Sequence, residues 1–392
     1  MPANRWSILA VLVLVRIGMG FQFQSIAAMA PIISGELSLN HAGIGELVGF
    51  YMLPGIVIAI PGGFLGSRFS DLMMVALGVV LMALGGGLAG LADSYAGLAA
   101  GRLVSGTGAV IQSIFLVKMI TDWFEGKEVI TALALMLSGF PAGIAASLPT
   151  LGAVGEAWGW RAAMHLTTAI CAASLVVMLA FYRPPPGLPR TGQGGISFRI
   201  PRRQLLLVSI GALLWTFYNI FYFSFLSFAP ALLIERGMPL VDAGLAVSVS
   251  SWVSMLAVPL GGLIAERSGR PMLSLVTGCL AAGLATIALV LYGHPYVMSA
   301  LIGLFAAAPA GILMAAATGV MEPRYRAQGN GIIYTFFYGG MGVCPALVGW
   351  AGDVAGTAAA PVLIAGSVLL LTAVLYPLFR LGTDRLAVRP AA

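Results

Sequence analysis

Apolar runs of about twenty residues or more, each closed by a short polar segment, follow one another along almost the whole chain. A helix needs about 20 mostly apolar residues to cross a bilayer. Twelve stretches qualify: 7–33, 42–65, 72–92, 95–118, 129–154 and 160–182, then 204–234, 240–265, 271–293, 295–320, 327–351 and 357–380. Between the sixth and the seventh lies RPPPGLPRTGQGGISFRIPRR, residues 183–203, whose prolines, glycines and arginines can neither pack as a core nor cross a bilayer. The pattern predicts an all-α membrane protein of 12 transmembrane helices in two six-helix bundles. These are residues 1–182 and 204–392, with 183–203 as the linker and a short tail at the end.

A repeat supports the division. GGFLGSRFSD at 62–71 and GGLIAERSGR at 261–270 lie 199 residues apart, each at the end of a long apolar run. Such internal pseudo-symmetry is how many secondary transporters are built.

Composition removes the main competitor, a soluble protein. Hydrophobic residues make up 59% of the chain, charged residues 9%, and the mean hydropathy is +0.98. Soluble domains carry roughly 25% charged residues, so the lipid bilayer is the expected solvent. The net charge of +6 does not predict a nucleic-acid partner, because topology accounts for it. With the N-terminus in the cytoplasm, sixteen of the twenty basic residues fall in cytoplasmic segments, and only Arg161 and Arg236 fall on the opposite face. Positive charge collects on the cytoplasmic side of membrane proteins. The expectation is a multi-pass protein of the cell membrane with both termini cytoplasmic. Ala28-Met29-Ala30 resembles a signal-peptidase site, but the apolar run is too long for a signal segment and Pro31 follows directly, so the first span is expected to be retained.

Cys171, Cys279 and Cys344 lie far apart inside apolar runs and predict neither disulfide nor metal site. There is no GxxxxGK[ST] loop, metal cluster or nucleophile with a base at recognisable spacing. Neither an enzyme nor a cofactor is predicted, and ATP is not the expected energy source.

The two loop copies carry a resemblance. Pro61-Gly62-Gly63 through Arg68, and more fully Pro259 through Gly261-Gly262, Glu266-Arg267 and Gly269-Arg270, resemble the loop signature of the major facilitator superfamily. GRLVSGTG from Gly101-Arg102, the Gly139, Pro141, Gly143 set, and Gly152, Gly155, Glu156, Gly159 echoed by Gly349, Gly352, Asp353, Gly356 agree with it. The resemblance covers the whole chain. It implies two bundles related by a pseudo-two-fold axis along the membrane normal, a central cavity, alternating access and a monomer. It also implies a conformational latch formed by Arg68, Asp71, Glu266, Arg267 and Arg270. The first copy departs from the pattern, with Ser67 in place of an acid and Asp71 in place of a basic residue. Arg68 then has Asp71 or a neighbouring helix as its partner. Orientation by the positive-inside rule is the plainer account of these arginines.

Charge at membrane depth is costly and therefore a functional hypothesis by default. Arg16 and Arg102 are the two basic residues inside spans, and no Asp or Glu lies in the middle of any span. On the first span Gly20, Phe23 and Ala27 share the Arg16 stripe, with Gln24 beside it. Arg16 suits a carboxylate or similar anion, and snorkelling to the interface is its alternative. Gly106, Ala109 and Ser113 share the face of Arg102, an arginine that the resemblance implies often lines the cavity. Where sugar porters and many drug exporters place an acid on the first span, this chain has Gln22 and Gln24. The other half offers Tyr218, Asn219 and Tyr222 on the seventh span, and Tyr334 with Tyr338 on the eleventh, as hydrogen-bonding groups around a solute or as packing. Glu46, about one turn inside the second span, is the coupling candidate, against a plain helix-start acid. His41 and His294 in outer loops carry no expected role.

Buried arginines without buried acids favour an anionic substrate as the compensating charge. The expected function is alternating-access transport of a small organic or inorganic anion, monocarboxylate-like, by symport or antiport with a proton or a counter-substrate. The alternatives are an exporter of drugs or amphipathic metabolites and a non-transporting membrane sensor or assembly partner.

Overall fold

The computed structural model describes residues 4–58, 69–124, 128–185, 200–291, 293–322 and 326–387. Its helices, in chain order, are α1 (Arg5–Ala28), α2 (Ala30–Leu37), α3 (His41–Phe50), α4 (Asp71–Gly90), α5 (Tyr95–Trp123) and α6 (Val129–Phe181). They continue as α7 (Arg202–Glu235), α8 (Leu240–Ser268), α9 (Pro271–Val290), α10 (Pro295–Gly319), α11 (Arg326–Ala355) and α12 (Ala359–Ala387). Eleven stretches among the described residues are long and apolar enough to cross a membrane. One of them, within α6, is 51 residues long, enough for two crossings at about 20 residues each.

Local chemistry places the breaks. Pro31 has no N–H and its ring clashes with the carbonyl four residues back, so α1 stops and α2 restarts through Met29. Pro54 acts likewise on the second span, where α3 ends at Phe50 and the chain runs through turns before turning helical again to Ile58. Inside α6 the fifth and sixth spans meet at Gly159, whose φ of 82° and ψ of 160° suit a residue without a Cβ. Asn4, Asn40, Ser70 and Ser94 begin their helices by accepting hydrogen bonds from Trp6, Gly43, Met73 and Gly97 backbone N–H groups.

Within the first half α1 packs on α6, and α4 on both α5 and α6; within the second, α10 packs on α8 and α9, and α12 on α7 and α9. The halves meet where α3 lies against α11 and where the fifth span lies against α8. Close backbone approach makes these junctions: a side chain at Gly45 or Gly49 would strike the carbonyls of Pro345 or Gly342 in the other half. Both junctions lie toward the end of the bundle away from the termini, called here the far end. The linker sequence 186–199 lies outside the described residues.

Candidate functional site

The two arginines at membrane depth have opposite surroundings. Arg102 on α5 is 1% exposed, and its guanidinium is fully engaged. Nε donates to the Leu47 carbonyl at 2.9 Å, Nη1 to the Gln22 carbonyl at 2.8 Å and Ser25 Oγ at 3.3 Å, and Nη2 to the Phe23 carbonyl at 3.0 Å. Its carbon lies 4.5 Å from the centre of the Tyr51 ring. The Leu47 carbonyl is available because α3 ends at Phe50, which leaves its last carbonyls without helical partners. Arg102 thus ties α1, α3 and α5 into one body. This departs from the cavity-lining position read from the sequence: backbone carbonyls compensate the charge, so no substrate anion is needed.

Arg16 on α1 is only half-buried, and its surroundings leave donors unused. Nη1 donates to Ser113 Oγ at 2.7 Å and to Met19 Sδ at 3.1 Å, while the buried Nε has no protein partner. The Phe140 ring of α6 lies 5.2 Å from the guanidinium carbon. Tyr334 and Tyr338 stand on α11, in the other half. Tyr334 is 38% exposed and stacks on Tyr338, their ring centres 6.2 Å apart. Ser113 therefore serves Arg16, although the helical period groups it with Arg102. Room for the long side chain comes from Gly139, where a Cβ would lie 3.2 Å from Arg16 Cβ.

Toward the far end the site is closed by aromatic rings. Phe23 of α1, Phe140 of α6 and Phe223 of α7 are in mutual contact, with Phe23 and Phe223 only 4.9 Å apart edge to face. Phe23 is seven residues from Arg16, roughly 10 Å along the helix. Beside it Gln24 is fully buried; its Nε2 crosses to the Leu226 carbonyl at 2.9 Å, and its Oε1 has no protein partner.

The seventh-span set turns away from this space. Tyr218 donates to the Ala306 carbonyl, Asn219 to the Trp215 carbonyl of its own helix, and the Tyr222 hydroxyl pairs with Ser251 and Ser254. The Tyr218 and Tyr222 hydroxyls are occupied within the second half, the packing alternative of the sequence reading, while Asn219 spends one amide donor on its own helix. Glu46 lies at the far end and accepts a hydrogen bond from the Tyr95 hydroxyl.

A junction that the sequence did not suggest closes the far end. The Asp353 carboxylate of α11 accepts from the backbone N–H of His41 at 2.7 Å and of Ala42 at 2.9 Å. It thereby caps the first turn of α3 from the other half, where unsatisfied N–H groups and the helix dipole favour an anion. Glu235, which accepts from the Ala358 N–H at 2.9 Å, lies 3.9 Å from the His41 imidazole. His41, assigned no role from sequence, thus sits at the contact between halves. The Gly349, Gly352, Asp353 pattern was the available signal.

The match to known proteins fits this geometry. The family model described as Major Facilitator Superfamily matches residues 12–302 and 220–392. The chain belongs to the Major Facilitator Superfamily. A hexuronate transporter of Bacillus subtilis (strain 168) is 22% identical over 62% of this chain, and that match spans only 60% of the relative's length. A lysosomal dipeptide transporter of Danio rerio is 24% identical over 76% of this chain and 70% of its own. Among solved structures, a bacterial homologue of the human lysosomal transporter Spinster, inward-facing and occupied, superposes with a TM-score of 0.71 at 20% identity. That alignment covers 99% of this chain and 98% of that one.

In this facilitator the loop-signature residues are placed in part. Asp71 begins α4 and pairs with Lys118 of α5 at 2.6 Å, so a neighbouring helix supplies its cation. Arg267 and Arg270 are exposed at the end of α8. Arg68 and the side chain of Glu266 lie outside the described residues.

Proposed function

We propose that this facilitator is an alternating-access secondary transporter of a small organic anion whose carboxylate is bound by Arg16, driven by a proton or by exchange against a counter-substrate. The observation that carries this reading is the unused hydrogen-bonding capacity of Arg16, at the meeting of α1, α5 and α6. A planar guanidinium matches a carboxylate with two parallel hydrogen bonds. Tyr334 and Tyr338 add hydroxyls from the opposite half, so a bound anion bridges the two bodies that move. A hexuronate and a dipeptide, the substrates named for the two similar transporters, both carry a carboxylate.

With the far end closed by Asp353 and the phenylalanine cluster, the route to Arg16 opens at the end bearing the termini. Positive charge collects there, and in this reading that end faces the cytoplasm. The halves rock as monomeric bodies about the glycine-lined contacts of α3 with α11. Arg102 holds the first half rigid, and Glu46 exchanges the coupling proton.

Uptake of radiolabelled hexuronate into proteoliposomes tests the reading. Saturable uptake is expected, inhibited by other small carboxylates and lost in Arg16→Gln. Flux of cationic dyes with no flux of any anion would sink it. Glu46→Gln is expected to abolish proton-driven accumulation while sparing exchange, and unchanged accumulation removes Glu46 from the mechanism.

A further inference from the structure

A hydrogen bond joins the two halves within the spans themselves. Pro230 lies inside α7 and has no N–H, so the Leu226 carbonyl lacks the donor that a helix supplies four residues on. The Gln24 side chain of α1 reaches over from the first half and donates Nε2 to that carbonyl at 2.9 Å. Gln24 is 1% exposed and Leu226 is fully buried. The edge-to-face contact of Phe23 with Phe223 stands beside the bond. The hydrogen bonds of Asp353 also join the halves, but at the far end.

This contact depends on the state of the protein. A buried carbonyl without a donor costs free energy, and α7 cannot supply the donor from its own backbone because of Pro230. Motion that opens the far end draws α1 away from α7 and takes Gln24 from the carbonyl. Gln24 Oε1 acts in the opposite sense: it is buried without a protein partner here, a cost that is relieved once water reaches it. The amide thus favours closure through its donor and opposes it through its acceptor, which keeps the two states close in free energy. An amide has no proton to gain or lose in the physiological range, so the contact holds across pH.

We infer that Gln24 is a positioning residue of the transport cycle. With the carbonyl that Pro230 sets free it forms a latch inside the membrane, which holds the far end closed and sets how often it opens. The inference rests on the alternating-access reading and is independent of the anion and of Arg16.

The test is labelling of a single cysteine, Val348→Cys, at a buried position of α11. It uses the full chain in nanodiscs without added anion, with Cys171, Cys279 and Cys344 replaced by alanine. Gln24→Leu is expected to raise the labelling rate about five-fold, the size of one ordinary hydrogen bond. In a Pro230→Ala background residue 230 supplies the missing N–H. There the same substitution is expected to change labelling about two-fold or less, since coupled partners are not additive. Gln24→Glu separates a latch from mere packing. A protonated carboxyl donates to the Leu226 carbonyl and an ionised one does not, so labelling is expected to climb with pH more steeply than in the parent. An unchanged rate in Gln24→Leu overturns the proposal, as does a Gln24→Glu profile parallel to the parent's. If Gln24→Leu fails to fold, the Gln24→Glu profile decides alone. Asp353→Ala is measured alongside. Labelling that responds to it and not to Gln24→Leu overturns this latch and leaves alternating access standing, whereas labelling that responds to neither overturns both.

Discussion

Arg102 and Arg16 are both arginines inside apolar helices of the first half, yet one is finished and the other is not. Arg102 spends its donors on three carbonyls and a hydroxyl, with an aromatic face beneath it. Arg16 has a serine, a thioether and a ring, and keeps a buried Nε without a protein partner. A third arginine, Arg161, completes the series at the far end, where the Glu36 and Asp93 carboxylates pair with it near the surface. A buried cation surrounded by backbone dipoles needs no further partner, and one with spare donors has capacity left for a ligand. The surroundings make the difference, because the side chain is the same.

The largest effect should come from breaking the finished shell. Arg102→Leu removes the charged hydrogen bonds to the Leu47, Gln22 and Phe23 carbonyls, and a hydrogen bond to a charged group is worth about 1.5–3 kcal/mol. A loss of at least about 3 kcal/mol is expected, measured as melting temperature and folded yield in detergent. A variant of unchanged stability would mean that Arg102 is not structural. Arg16→Gln should do the reverse. Stability is expected to stay within about 1 kcal/mol. Uptake should fall about a hundred-fold, as for a charged hydrogen-bonded pair worth 2–5 kcal/mol. If both variants lose stability equally, the contrast between the two shells collapses.

Asp353→Ala asks whether the contrast depends on the closed far end. Removing a helix cap costs about 0.5–2 kcal/mol, which here falls on one conformational state. Single-cysteine labelling at Val348, a buried residue of α11, should then rise several-fold in accessibility, and no change would assign Asp353 to local packing alone. The smallest effect concerns the surface arginine. The Arg161 side chain, followed by the Trp160 indole N–H, holds the Glu36 carboxyl below the ordinary carboxylate range. A lowered value in the folded state means that the stabilisation is complete above the ordinary carboxylate pKa of about 4.3 and fades as pH falls below it. Melting temperature followed downward from pH 6 should show a shallow decline that Arg161→Gln removes and that salt weakens. A decline of equal slope in that variant would separate it from this pair.

Much of the fold was legible. The described helices follow the predicted spans to within a few residues at most ends, because span length is set by the bilayer and prolines and glycines mark the breaks. Pro31, Pro54 and Gly159 act through their own covalent geometry, so their effects are local and readable. The same period misassigned Ser113 to the Arg102 face and offered Tyr218, Asn219 and Tyr222 as a solute-facing set. It indicates which residues share a stripe, but not which neighbour the stripe meets. Met19, Phe140 and the His41, Asp353, Glu235 junction went unpredicted, since each depends on contacts between segments far apart in sequence.

By itself, then, the sequence determined the solvent, the rough limits of the spans and the presence of two costly charges. Those properties follow from hydropathy summed over about twenty residues and from the backbone limits of proline and glycine. Only the tertiary structure decided which of the two arginines is satisfied and which end is closed. Hydrogen bonds act over about 3 Å, and whether a carbonyl or an empty space lies at that distance is settled by the packing of helices that are remote in the chain.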